Sequence, residues 1–227
     1  MSKSVLAVMA HPDDAELRCF GTLCKYNNLG YRCKILIICA GENGFSIQED
    51  QEEKISLVQK EKRKEETLKA FEETNIEISV LNFNDGEIQF SKELITSIEK
   101  VMREFSPSVV ITHYPDIFGV DHQDHSTVGK ATINCASRLE EIERIMLCEP
   151  LLTVRSGFSP NHFVNITEFF YKKMAALSYH ETQQGRYYLE EKYHDVKSSF
   201  YSLSIGGKTS RNNKKFEAFQ LLYSLED

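Results

Sequence analysis

The sequence predicts an α/β fold, a Rossmann-like, doubly wound and mostly parallel sheet, on three observations. Short apolar runs alternate with longer amphipathic stretches. The runs are apolar throughout rather than at every second residue. Polar, chemistry-bearing residues gather where the runs end. Strands buried on both faces read as continuous hydrophobic runs, and right-handed crossovers through helices wind such a sheet in both directions. The chain of 227 residues, 41% hydrophobic and 27% charged, fits one domain over residues 1–227. Its composition is close to the globular average, which excludes disorder, collagen-like repeats and coiled coil as the main organisation.

Taken in order, Ser4–Ala10 (SVLAVMA) is the first strand and Ala15–Leu29 the first helix, closed by Asn27–Gly30 with Gly30 as a left-handed cap. Cys33–Ala40 (CKILIICA) is the second strand. The stretch Glu49–Thr74 carries charges at i,i+4 spacing and reads as a long helix with a solvated face. Ile78–Phe83 is the third strand. Ser91 is placed to cap a helix over Ser91–Phe105, and Pro107 ends it. Val109–His113 is the fourth strand, Ser126–Ser137 the next helix and Arg144–Cys148 the fifth strand. The polar tail Tyr193–Asn213 reads as loops and Phe216–Tyr223 as a short closing helix.

Several classes are excluded. The longest apolar runs, Val5–Ala10 and Ile35–Ala40, are too short to cross a bilayer, so no integral membrane segment is expected. No secretion signal is visible at the start. Of the 6 cysteines, Cys33, Cys39, Cys135 and Cys148 lie in or beside apolar runs and read as buried reduced thiols, with no CxxC pair. The net charge of −7 weighs against nucleic acid as a partner. A cytoplasmic protein with a small-molecule partner is the expectation.

Open parallel sheets bind ligands at the carboxyl ends of their strands. Here those ends are Met9–Glu16, Cys39–Phe45, Phe83–Glu87 and Thr112–His125. The first holds His11, Asp13, Asp14 and Glu16; His11 and Asp14 can converge on one point, leaving Asp13 beside it as a base. An isolated Asp-Asp at a helix start more often caps the helix. The last holds His113, Asp116, Asp121, His122, Asp124 and His125. That density at a neighbouring strand end points to a metal site. Imidazole and carboxylate ligands without cysteine suit Zn2+, and two histidines with one carboxylate also suit Fe2+.

The motifs AHPDDAEL, Gly21-Thr22 and DHQDH resemble the LmbE-like, or PIG-L, zinc-dependent de-N-acetylases. Weaker similarity runs through Arg63–Glu66, Asp85-Gly86, Phe158–Ile166, Lys173 to His180 and Gln183, and Phe216–Phe219. The resemblance implies removal of an N-acetyl group from an N-acetylglucosaminyl-type amino sugar. It implies that His11, Asp14 and His125 bind zinc and that Asp13 is the general base. It also implies that His122 steadies the oxyanion or protonates the leaving amine, and that Asp124 orients a histidine ligand. The chain departs from the family pattern at Arg18 and Phe20, where the pattern has glycine, and at Gln123, where it commonly has proline.

Arg63, Asp85, His180 and Gln183 are expected substrate contacts; for each, a solvated, turn-forming or hydrogen-bonding structural role is the alternative. Gly41–Gly44 lacks GxGxxG and a P-loop lysine, so no dinucleotide site is expected. An N-formyl or other amide hydrolase on the same site, and a non-catalytic metal-binding module, remain alternatives. With no Trp, stacking on a sugar falls to Tyr or Phe. The aromatics at Phe158–Phe163 and Tyr187–Tyr193 are candidates for a site rim or a homo-oligomer contact.

Overall fold

The structure, a computed structural model, describes residues 3–44, 52–205 and 214–225. Its strands are β1 (Ser4–Met9), β2 (Arg32–Cys39), β3 (Ile76–Phe83), β4 (Val109–His113), β5 (Arg144–Cys148), β6 (His162–Asn165) and β7 (Phe216–Ser224). The helices are α1 (Asp14–Arg18), α2 (Phe20–Asn28), α3 (Glu52–Ala70), α4 (Lys92–Phe105), α5 (Gln123–Ala136), α6 (Thr153–Ser156), α7 (Phe170–Ser178) and α8 (Glu191–Ser204). All the strands form one sheet in the order β3-β2-β1-β4-β5-β7-β6. The first five of that order run parallel, and β7 lies antiparallel between β5 and β6.

β1, β2, β4 and β5 are buried on both faces, as continuous apolar runs require, whereas the edge strand β3 is half-buried. Alternate residues divide between two cores. Val5, Ala7, Met9, Ile35 and Ile37 pack under α2 and α7 with Phe20, Leu23 and Phe170. Leu6, Val8, Leu36, Ile38 and Val110 pack under α4 and α5 with Leu94, Ile98, Met102 and Val128. Helix α4 buries Leu94, Ile98, Met102 and Phe105, a one-sided stripe at helical spacing. Ser91 Oγ accepts from the Leu94 N–H at 3.2 Å and caps it, and left-handed Ser106 ends it just before Pro107.

Three expectations are corrected. Phe216–Tyr223 is strand, not helix: β7 pairs with β5 and β6 on both sides, and that pairing overrides its helix-favouring Ala, Leu and Gln. The tail expected as loops contains α8, which buries His194, Ser198, Tyr201 and Ser202; residues 206–213 lie outside the described residues, as do 49–51 at the start of the expected long helix. The first helix is broken at Cys19, where φ is −145°. The Glu217 carboxylate of β7 sets this break. It accepts from Gly21 N at 3.1 Å and from Thr22 N at 2.8 Å, satisfying the first turn of α2 with an anion. Lys173 Nζ, 2.9 Å from Glu217 Oε1 and 2.9 Å from the Leu17 carbonyl, completes a buried lock between α7, α1 and β7.

Close approach at Gly129 decides where α5 lies. A Cβ there would stand 2.5 Å from the His113 carbonyl oxygen, so only glycine lets α5 rest on the end of β4. Helix α5 carries His125, so this contact also sets the depth of that side chain. Gly129→Ala is expected to lower the unfolding free energy by about 1–3 kcal/mol through overpacking, read from urea denaturation. An unchanged or higher midpoint would contradict the close approach.

Candidate functional site

β1 and β4 are sheet neighbours whose chains continue in opposite directions, to β2 and to β5. A crevice opens at such a switch point. Here it is a cavity of about 740 Å³ whose lining includes His11, Asp13, Asp14, Arg18, His122 and His125. The chain leaves β1 through Asp13 at φ 92°, a left-handed conformation that few side chains tolerate and Asp tolerates better than most. This turn sends His11, Asp13 and Asp14 into the crevice within one helical turn, and Asp14 Oδ2 fixes it by accepting from His11 N at 2.8 Å.

His11 Nδ1 and His125 Nε2 face each other at 3.2 Å. The Asp14 carboxylate closes the triangle, Oδ2 lying 3.5 Å from His11 Nδ1 and Oδ1 3.2 Å from His125 Nε2. The outer ring nitrogens are committed elsewhere. His11 Nε2 lies 3.0 Å from Asp85 Oδ1 and 3.2 Å from Asp124 Oδ2, and His125 Nδ1 lies 3.0 Å from Asp121 Oδ1. Carboxylates can only accept, so the ring protons belong on the outer side and lone pairs face inward. Ligands bound at about 2.0–2.1 Å around a tetrahedral ion stand roughly 3.3–3.4 Å apart. The ring-to-ring distance and the two Asp14 contacts, one from each carboxylate oxygen, are close to that spacing, so the residues fit a small divalent cation.

Overlapping donor groups fit less well. One is Asp14, His113 and His125; another is His11, Cys39, Asp85 and Asp124; a third joins His122 to His11 and His125. His113 Nε2 already accepts from Ala10 N at 2.9 Å, and burial pushes its pKa down to about 3, so it is a neutral ring with a committed nitrogen. It stacks on the His125 ring, with centroids 4.3 Å apart. The Cys39 thiol donates to the Ala10 carbonyl, and burial raises its pKa, so it stays a thiol.

Without a cation the electrostatics are tense. Burial opposes charge on His11, yet hydrogen bonds with Asp124, Asp14 and Asp85 hold its pKa well above the usual histidine value. Burial opposes charge on Asp14 as well, and His125 and His113 hold its pKa well below the carboxylate range. Burial raises the pKa of Asp13, against the pull of Arg63. A cation entering the triangle would displace the proton that His11 otherwise retains.

The remaining expected residues separate into two groups. His122 stands at the cavity, its side chain 41% exposed and its ring 4.8 Å from that of His11. Its Nδ1 accepts from Asp124 N at 3.3 Å, which starts α5 three residues before the expected Ser126. Asp124 is fully buried; it accepts from Gly86 N at 2.7 Å and holds His11 Nε2.

The four expected substrate contacts serve chiefly as supports. Arg63 directs Nη2 to the Pro12 carbonyl and lies 3.2 Å from Asp13 Oδ2, pinning the strained turn. Asp85 holds His11 Nε2 and accepts from Asn43 N at 3.0 Å, leaving it little capacity for sugar hydroxyls. His180 is 0% exposed and bonds Glu16 Oε1 at 2.9 Å, so it cannot touch a substrate. Gln183, 1% exposed, gives Nε2 to the Gly44 carbonyl at 3.3 Å, although it reaches the cavity wall. Tyr187 and Tyr188 line the cavity, whereas Phe158 is buried against Tyr114.

Sequence reasoning gave no role to Asp121 or to Arg18, both of which reach His125. Asp121 lies within DHQDH, four residues before His125, a spacing that places it one turn away. Arg18 carried a signal only as a departure from the family pattern. Phe20, the other departure, packs on Phe71 with centroids 5.0 Å apart, away from the donors.

Comparison with known proteins gives the family and the fold. The PIG-L family, described as GlcNAc-PI de-N-acetylase, matches residues 6–136. A probable N-acetyl-alpha-D-glucosaminyl L-malate deacetylase 2 of Bacillus cereus is 30% identical over 193 residues, 81% of this chain and 84% of the relative. A diacetylchitobiose deacetylase of Thermococcus kodakarensis is 28% identical over 192 residues, 80% of this chain and 70% of the relative. The solved 4-carboxy-2-hydroxymuconate hydratase of Pseudomonas putida shares the fold, with a TM-score of 0.82 at 20% identity over 99% of this chain and 98% of that one.

His180 supplies a pH test of the support behind the turn. Burial would lower its pKa, but Glu16 and Asp13 outweigh both burial and Arg63 and raise it. A histidine whose pKa is raised on folding stabilises fully below its unfolded pKa of about 6.5, and that contribution is lost as pH rises through the folded value. His180→Gln should therefore cost more stability near pH ~5.5 than near pH ~9, measured by urea unfolding. Equal cost at both would contradict a charged His180.

Proposed function

The chain belongs to the PIG-L family, and on that premise we propose that it is a zinc-dependent hydrolase removing an N-acetyl group from an N-acetylglucosaminyl-type sugar. One observation carries the reading: the His11, Asp14 and His125 donors converge with lone pairs inward while Asp85, Asp124 and Asp121 hold the outer nitrogens. Imidazole and carboxylate donors without a thiolate suit zinc, with Fe2+ as the other ion that this set accepts.

A divalent ion held by these residues supplies a Lewis acid for the amide carbonyl and lowers the pKa of a water to about 7. The rest of the chemistry is the chain's own. Asp13, its pKa raised by burial, takes the proton from the attacking water, and Arg63 holds it at the cavity. His122 is exposed to the cavity, and its pKa is lowered by burial and by the charges of His11 and His125. It steadies the oxyanion of the tetrahedral intermediate or passes a proton to the leaving amine.

The cavity of about 740 Å³ accommodates a sugar with part of its aglycone, and Tyr187 and Tyr188 are the aromatic residues of its lining. Residues 1–227 act as one domain in this reading, with one sheet placing His11, Asp13, Asp14, His122 and His125 beyond the ends of β1 and β4. No described helix is long and apolar enough to cross a membrane. The six cysteines are buried and free, which suits the reducing cytoplasm that the composition suggests.

Asp13→Asn should lower kcat about 10²–10⁴-fold on an N-acetylated sugar while zinc binding stays nearly unchanged, measured by free-amine release and by calorimetric titration of zinc. Wild-type turnover in that variant would remove Asp13 from the role. The acid released decides the acyl group: acetate supports the reading, formate replaces it with a deformylase, and water addition without any acid would make the protein a hydratase.

A further inference from the structure

Arg18 is buried among the metal-binding donors, 6% exposed, yet neither the fold nor the proposed chemistry calls for a cation there. Its Nε lies 3.4 Å from Asp14 Oδ1, and its Nη2 lies 3.5 Å from Asp121 Oδ2 and 3.1 Å from His125 Nδ1. Nη1 donates to the Glu149 carbonyl at 2.6 Å, which fixes the guanidinium in place. Arg63, the other arginine of the cavity, is spent on Asp13 and Pro12. Among the described residues Arg18 is therefore the fixed cation that touches both Asp14 and Asp121. The same two carboxylates serve the ion, one as a ligand and one through His125.

We propose that Arg18 is a built-in counter-cation of this cluster, compensating Asp14 and Asp121 when no ion is bound and thereby lowering the affinity of the site for its divalent ion. The inference rests on the metal-holding reading of His11, Asp14 and His125. Two physical effects point the same way. The guanidinium competes with the ion for the electron pairs of Asp14, the oxygen nearest Arg18 being also the one nearest His125 Nε2. Its fixed positive charge also repels a second cation in a site shielded from water. The metal-free cluster keeps its shape because a charge of the right sign is already present, whereas a cluster stripped of Arg18 would hold its buried carboxylates with less compensating charge. Arg18 acts through the charge of the ligands rather than by orienting them, and it touches no substrate in this account.

The opposite role makes an opposite prediction. A residue that merely orients metal ligands lowers metal affinity about 10–100-fold when it is removed. A counter-cation raises it. The test compares wild type, Arg18→Met and Arg18→Lys, each stripped of metal and then titrated with zinc, following both the dissociation constant and the midpoint of thermal unfolding.

Arg18→Met should unfold at a lower temperature than wild type without metal, show a larger rise of the midpoint on adding zinc, and bind zinc at least about tenfold more tightly. Arg18→Lys keeps the charge and should show a zinc-induced rise close to that of wild type. If Arg18→Met does not fold, Arg18→Gln takes its place with the same expectation. A zinc-induced rise in Arg18→Met equal to or smaller than that of wild type, or weaker zinc binding, overturns the counter-cation while leaving the metal reading intact. No zinc response in any of the proteins, wild type included, overturns the metal reading and the inference with it.

Discussion

At the centre of the crevice two imidazole nitrogens and a carboxylate face one another at 3.2–3.5 Å, with the proton that His11 retains among them until a cation takes its place. Lone pairs brought that close and buried repel unless something positive separates them. The surrounding structure maintains the arrangement because each outer nitrogen donates to a carboxylate that is itself held: Asp124 by Gly86 N, Asp85 by Asn43 N, Asp121 by His122 N. Each histidine is thus clamped from behind and can offer only its inner nitrogen forward.

The fold supplies the positions. β1 and β4 lie side by side with Val5 opposite Val109 and Val8 opposite Thr112, so the residues that follow each strand emerge together at one edge. Asp13 then turns the chain at a left-handed φ, and Arg63 reaches from α3 to hold that turn. On the other side Gly129 lets α5 settle onto the His113 carbonyl, which brings His125 to the same depth as His11. Behind the turn, Glu16 and His180 form a buried pair, and Glu217 and Lys173 anchor the start of α2.

Much of this was legible in the sequence because it is local. The continuous runs SVLAVMA and CKILIICA announce strands buried on both faces, and the HPDD and DHQDH elements carry the proposed ligands and base and the supporting carboxylates within a few residues of two strand ends. What escaped sequence reading depends on contacts between distant segments. Phe216–Ser224 has the residues of a helix and becomes a strand only because β5 and β6 leave a place between them. Asp85 read as a substrate contact because it ends the third strand, and His180 because it falls at a helix end. Their partners, His11 and Glu16, stand far away in sequence, and no local pattern reveals that those groups are already bonded. Arg18 was visible as an unexpected cation on the first helix, but its contact with Asp121 spans more than a hundred residues.

The central claim is that the ion is held by His11, Asp14 and His125, in preference to the overlapping groups built around His113 or Cys39. Crystals of the zinc-loaded protein, measured on both sides of the zinc absorption edge, locate the ion directly by anomalous diffraction. The account predicts one strong peak bonded to His11 Nδ1, His125 Nε2 and Asp14, with Asp85, Asp124 and Asp121 still on the outer nitrogens. A peak bonded to His113 or to Cys39, or an ion on the Nε2 side of His11, would contradict it.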